Sequence, residues 1–133
     1  MTPIRVLMVD DNPTFLDIAT EFLQEYDELD IVGTASLGQQ ALLQAKKLQP
    51  QVILLDLAMP DLPGLEVIPL LRAMQLDVTI IVLTLLNTDG YREAALAAGA
   101  DDFVPKAKMN TDLLLAIRRI SSRPVPRIVD RPE

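Results

Sequence analysis

Five polar side chains stand where short aliphatic runs of the chain end. Asp10 and Asp11 follow Ile4–Val9, Asp56 follows Val52–Leu55, Thr84 follows an apolar run at 78–83, and Lys106 follows 103–105. Singly, each has an ordinary explanation. Acids ahead of a helix favour its dipole, a loop aspartate forms turns or caps helices, a strand-end threonine is a β-branched strand former, and a lysine is usually a solvated charge. Together they make a set of carboxylates, a hydroxyl and an ammonium. Three converging carboxylates repel one another and raise each other's pKa values unless a cation shares the site. The chain has no histidine and no cysteine, so imidazole acid–base work, thiolate chemistry, disulfides and the usual zinc sites are excluded. Hard oxygen ligands imply Mg²⁺ or Mn²⁺, with water filling the remaining positions. A metal over carboxylates, beside a hydroxyl and an ammonium, suits a phosphoryl group.

The elements that must position these groups are legible in the same runs. Ile4–Val9 reads as a β-branched and aliphatic strand. Asn12-Pro13 then opens a helix as N-cap and first-turn proline, and Phe15, Leu16, Ile18, Ala19, Phe22 and Leu23 recur at helical spacing to about Glu25. Leu29–Ala35 reads as a second strand, and a helix starting at Ser36 or Gly38 buries Ala41, Leu42, Ala45 and Leu48 before Pro50 stops it. The continuous apolar run from Val52 suits a strand covered on both faces, and Met59-Pro60 ends it. Pro63-Gly64 begins a third helix to about Met74, with Pro69 expected to kink or shorten it. The fourth strand spans 78–83 and ends at Thr84, the fourth helix spans 91–98 with Gly99 as C-cap, the fifth strand spans 103–105, and the fifth helix spans 112–121 behind an Asn110-Thr111 cap. Residues 122–133 carry three prolines and several charges and read as a linker or frayed tail, leaving one domain over 1–121. Five strands alternating with five helices predict an α/β domain with a doubly wound parallel sheet in a three-layer α/β/α sandwich. In such sheets ligands bind beyond the carboxyl ends of the strands, where all five polar groups lie.

Composition narrows the function further. The 133 residues, half of them apolar, are enough for one sizeable core, and the formal charge of -7 argues against a nucleic-acid surface in this segment. The N-terminal apolar run is too short and too acidic at its end for a signal peptide, and no apolar stretch approaches membrane-spanning length. The expectation is a soluble cytoplasmic protein with no membrane contact.

The pattern resembles the receiver domain of two-component response regulators from about Ile4 to Ile120. The matching residues are Val9-Asp10-Asp11-Asn12, Asp56 with Met59-Pro60 and Gly64, Thr84, and Ala98-Gly99-Ala100 leading to Phe103 and Lys106. The resemblance implies a flavodoxin-like sheet of order 2-1-3-4-5 and a phosphoacceptor signalling domain, not an enzyme beyond self-catalysed phosphotransfer and dephosphorylation. Asp56 would accept a phosphoryl group from a phosphohistidine of a sensor histidine kinase. Asp11, Asp56 and the Ala58 backbone carbonyl would ligate Mg²⁺, with Asp10 acting through water. Lys106 and the Thr84 hydroxyl would hold phosphoryl oxygens, and Phe103 would be the aromatic that repacks on activation. The readout face would be helix four, strand five and helix five, open to a partner or to a second copy in a homodimer.

Two departures qualify the resemblance. Lys106 is followed by Ala107, not proline, and the run Phe103-Val104-Pro105-Lys106-Ala107 is more similar to receivers carrying a C-terminal helix-turn-helix output domain, so that the tail reads either as the start of a linker to a transcription-controlling domain or as the end of a lone receiver. Leu85 occupies a position where the family usually has a small residue, and is expected to slow access to Asp56. Ala58 and Leu86 offer no acid or amide to orient a hydrolytic water, so a long-lived phosphoryl-aspartate is expected. The alternative reading is a pseudo-receiver that keeps the rim residues but signals by binding alone. An aspartyl-phosphate phosphatase is disfavoured because Ala58 stands where its general acid would be, and a flavin site because an Asp-Asp-Asn loop repels phosphate.

Overall fold

The computed structural model describes residues 2–74 and 77–121, so the Pro-rich tail lies outside the described residues. Strands β1 (Ile4–Val9), β2 (Leu29–Ala35), β3 (Val52–Leu55), β4 (Thr79–Thr84) and β5 (Asp102–Pro105) alternate with helices α1 (Pro13–Gln24), α2 (Gly38–Leu48), α3 (Gly64–Met74), α4 (Asp89–Ala98) and α5 (Leu114–Ser121). All pairings are parallel and the order is β2-β1-β3-β4-β5. The doubly wound α/β fold expected from the alternation is the fold observed.

Strand geometry divides the core in two. Side chains alternate across a strand, so Leu7, Val9, Ile53, Leu55, Ile80, Val82 and Phe103 pack with Ala41 and Ala45 of α2, Val67, Ile68 and Leu71 of α3 and Ala95 of α4. Val6, Met8, Val52, Leu54, Ile81, Leu83 and Val104 pack on the other face with Leu16, Ala19 and Leu23 of α1 and Ala116 and Ile117 of α5. Both faces being covered, β3 is buried along its whole length, which is why it is written as an unbroken aliphatic run.

Two helix starts differ from expectation, and α3 keeps its expected span without a break at Pro69. Helix α3 runs through Pro69 to Met74. The ring lies on the exposed side while Val67, Ile68 and Leu71 keep the inner face packed, so tertiary burial outweighs the one lost backbone bond. Helix α4 starts at Asp89, two residues early, because the Thr88 hydroxyl accepts from Tyr91 N–H at 3.4 Å and caps it. No cap forms at Asn110-Thr111. A 3-10 turn at Lys106–Lys108 and a π-helical turn at Met109–Leu113 precede α5, and the Thr111 hydroxyl donates to the Lys108 carbonyl at 3.3 Å. The wide turn buries both Met109 and Leu113, a pairing that a regular helix begun at Asp112 would not make.

Candidate phosphoryl site at the strand ends

Two backbone hydrogen bonds carry the sheet one residue past its strands. Asp10 N–H donates to the Ala35 carbonyl and Asp56 N–H to the Val9 carbonyl, both at 3.0 Å. The two aspartates are thereby seated side by side at the ends of β1 and β3, where the winding direction reverses and a crevice opens. Asp10 turns its Oδ1 back to accept from Asn12 N–H at 2.9 Å. Asn12 in turn caps α1, its Oδ1 accepting from Thr14 N–H at 3.0 Å and Phe15 N–H at 3.2 Å. On β3, Asp56 Oδ1 accepts a long 3.4 Å bond from Ala58 N–H.

Carboxylate oxygens of Asp10, Asp11 and Asp56 lie within 4.8 Å of one another, with Asp11 exposed and the other two buried. Lys106 arrives from the end of β5, its Nζ 2.6 Å from Asp10 Oδ2 and 3.6 Å from Asp56 Oδ2. Four of the five groups singled out from the sequence therefore converge. Burial pushes the Asp10 carboxyl up from the usual carboxylate range and the Asp56 charge adds to the rise, against the lowering effect of the Lys106 and Asn12 hydrogen bonds. Asp10 Oδ2 is wholly buried and, the Lys106 contact apart, has no hydrogen-bond donor among the described residues. A cluster of three carboxylates, all hard oxygen donors, fits a divalent cation with hard-ligand preference.

Thr84, the last residue of β4, is fully buried, and its Oγ1 accepts from Leu86 N–H at 3.2 Å. Phe103 lies inside the core, with the Arg92 guanidinium 5.8 Å from its ring centroid and Arg92 Nη1 donating to its carbonyl at 3.3 Å. Leu85 is 76 % exposed, whereas Leu86 turns in against the core.

Two residues near the site carry no local sequence signal. Asp61, in the loop that follows Asp56, caps α2 from outside, its carboxylate accepting from Gly38 N–H at 2.8 Å and Gln39 N–H at 3.0 Å. The residue preceding that helix, Leu37, has no side chain able to do so. Phe15, legible only as a helical apolar position, places its ring 4.1 Å from Lys106 Nζ.

With this geometry in hand, comparison with known proteins is unambiguous. Residues 6–118 match the response regulator receiver domain family, and the chain belongs to it. Response regulator GacA of Pseudomonas protegens is 34 % identical over 117 residues, covering 88 % of this chain and 55 % of that protein. A protein-glutamate methylesterase/protein-glutamine glutaminase of Clostridium acetobutylicum is 34 % identical over 127 residues, covering 89 % of this chain and 37 % of that protein. The crystal structure of the response regulator domain of Thermotoga maritima CheB superposes with a TM-score of 0.84 at 29 % identity, covering 92 % of this chain and 99 % of that one. The chain thus spans about half or less of the length of these two curated relatives.

Proposed function

We propose that this receiver domain is a phosphorylation switch whose nucleophile is Asp56. The observation that carries the reading is the convergence of three carboxylates and one ammonium at the ends of β1, β3 and β5. A sensor histidine kinase presents a phosphohistidine. An Asp56 carboxylate oxygen forms the new O–P bond as the N–P bond breaks, and the electron pair and a proton return to the imidazole. Asp11, Asp56 and the Ala58 carbonyl would hold Mg²⁺, with Asp10 acting through water, and the bound ion would neutralise phosphoryl charge. Lys106 leaves its ion pair with Asp10 to meet phosphoryl oxygens. The Thr84 hydroxyl turns from Leu86 N–H toward the same group.

The switch then follows from charge. A group of about -2 beside Thr84 draws in the loop after β4, and the repacking reaches Phe103 and, through Arg92, helix α4. The face of α4, β5 and α5 carries the signal to a partner or second copy, and controls transcription through a DNA-binding domain outside these residues. That output is favoured over the methylesterase kind by the Phe103-to-Ala107 run. The domain works in the cytoplasm, and among the described residues no helix is long and apolar enough to cross a membrane. Leu85 on the exposed rim slows small phosphodonors. With Leu86 packed inward and Ala58 apolar, no side chain at these two positions orients a hydrolytic water, so the phosphoryl-aspartate is long-lived.

The test is addition of Mg²⁺ and beryllium fluoride, followed by two-dimensional NMR. Wild type is expected to shift resonances around Thr84 and Phe103, and Asp56→Ala to leave them in place. No shift in wild type would favour a pseudo-receiver acting by binding alone. A phosphate-release half-life of seconds would remove the long-lived intermediate.

A further inference from the structure

We infer that Phe15 is a positioning residue for Lys106, holding the ammonium over the phosphoryl site through its ring face. The inference rests on the phosphoacceptor reading for its function but on separate geometry for its existence. Lys106 Nζ lies 4.1 Å from the Phe15 ring centroid, and the lysine side chain is only 9 % exposed. Its contacts come from three elements: the ring from α1, Asp10 Oδ2 at 2.6 Å after β1, and Asp56 Oδ2 at 3.6 Å after β3.

A lysine ammonium is a point charge with several rotors and no intrinsic direction. Carboxylates attract it, but they are the groups it must partly leave when a phosphoryl group arrives. The ring neither leaves nor changes charge. Its π face attracts the cation throughout, most strongly where water is excluded, and so keeps the ammonium beside Asp56 when the Asp10 pair loosens. Phe15 is itself held in place, because its N–H is bound by the Asn12 cap and its side chain packs on the α1 and α5 side of the core.

Three proteins and one cycle decide the matter. Phe15→Leu keeps the apolar bulk but removes the π face, and is expected to weaken beryllium fluoride uptake and slow phosphorylation by acetyl phosphate by about tenfold. Phe15→Tyr restores the face and is expected to return both to within about threefold of wild type. In a Lys106→Met background, Phe15→Leu should cost nothing further, since the ring acts only through the ammonium. Full activity of Phe15→Leu, or additive losses in the Lys106→Met background, would overturn the inference. Upfield ring-current shifts of the Lys106 ε-methylene protons, lost in Phe15→Leu, report the pairing directly, and their absence from wild type would also overturn it. Wild type that shows these shifts but takes up no beryllium fluoride would instead sink the phosphoacceptor reading, and the positioning role of Phe15 with it.

Discussion

Asp10 is the residue on which the electrostatics of the site turn. Its folded-state pKa lies above the unfolded one, chiefly through burial, so the native state binds that proton more tightly than the unfolded chain. The sign follows: on this group's account, metal-free stability falls as pH rises from the unfolded value through the raised one. Asp10→Asn removes the charge while keeping the shape, and is expected to raise the metal-free thermal midpoint near neutral pH. On the proposed metal role, the same change should weaken Mg²⁺ binding by about tenfold or more. Calorimetry with and without Mg²⁺ reads both effects, and a lower midpoint in both conditions would contradict the account. Asp10, Asp11, Asp56, Thr84 and Lys106 were visible in the sequence because each closes an apolar run. Phe15 was not, because its apolar spacing within α1 is satisfied equally by packing, and only the path of β5 brings Lys106 to it.

At the level of elements, the loop after Asp56 is fixed from both ends. A Cβ on Gly64 would stand 2.5 Å from the Asp56 carbonyl oxygen and 2.6 Å from Leu57 Cα, both backbone atoms that cannot step aside. Gly64→Ala is therefore expected to destabilise the fold by about 3 kcal/mol and to reduce beryllium fluoride uptake beyond what lost folding explains, measured by denaturation and titration on the same sample. At the outer end, the Gln39 and Gly38 N–H groups hold the Asp61 carboxyl below its usual range. Its stabilising effect is present above the unfolded pKa and is lost as pH falls through the lower folded value. Asp61→Ala should lower the urea midpoint at neutral pH, and the two proteins should converge in acid. If the gap persists in acid, the carboxylate is not the cap. Strands and most helix faces were readable from periodicity, which is a local property. The Asp61 cap and the π-helical turn before α5 were not, because each is set by contacts the neighbouring letters do not encode.

For the molecule as a whole, the sheet separates two packing layers that share its strands. Leu54 and Leu55 are adjacent in β3, both essentially buried, and belong to opposite layers. Leu54→Ala and Leu55→Ala are each expected to cost about 2–5 kcal/mol, and each should lower one cooperative transition rather than melt one layer first, as coincident near- and far-UV circular dichroism curves would show. Sheet order was foreseen from the family pattern, and the division of helices between the faces follows from right-handed crossovers.

The salt bridge from Lys106 to Asp10 joins the last strand to the first, with Asp56 from the middle of the chain beside it. No contiguous fragment of modest length contains all three. Chain synthesis must therefore pass β5 before the charges can meet, and a nascent or truncated chain lacking it would carry the acids without their counter-charge. On the proposed function, a kinase that reads the assembled rim, Lys106 included, would ignore copies in which β5 has not yet joined the sheet, without any separate proofreading step.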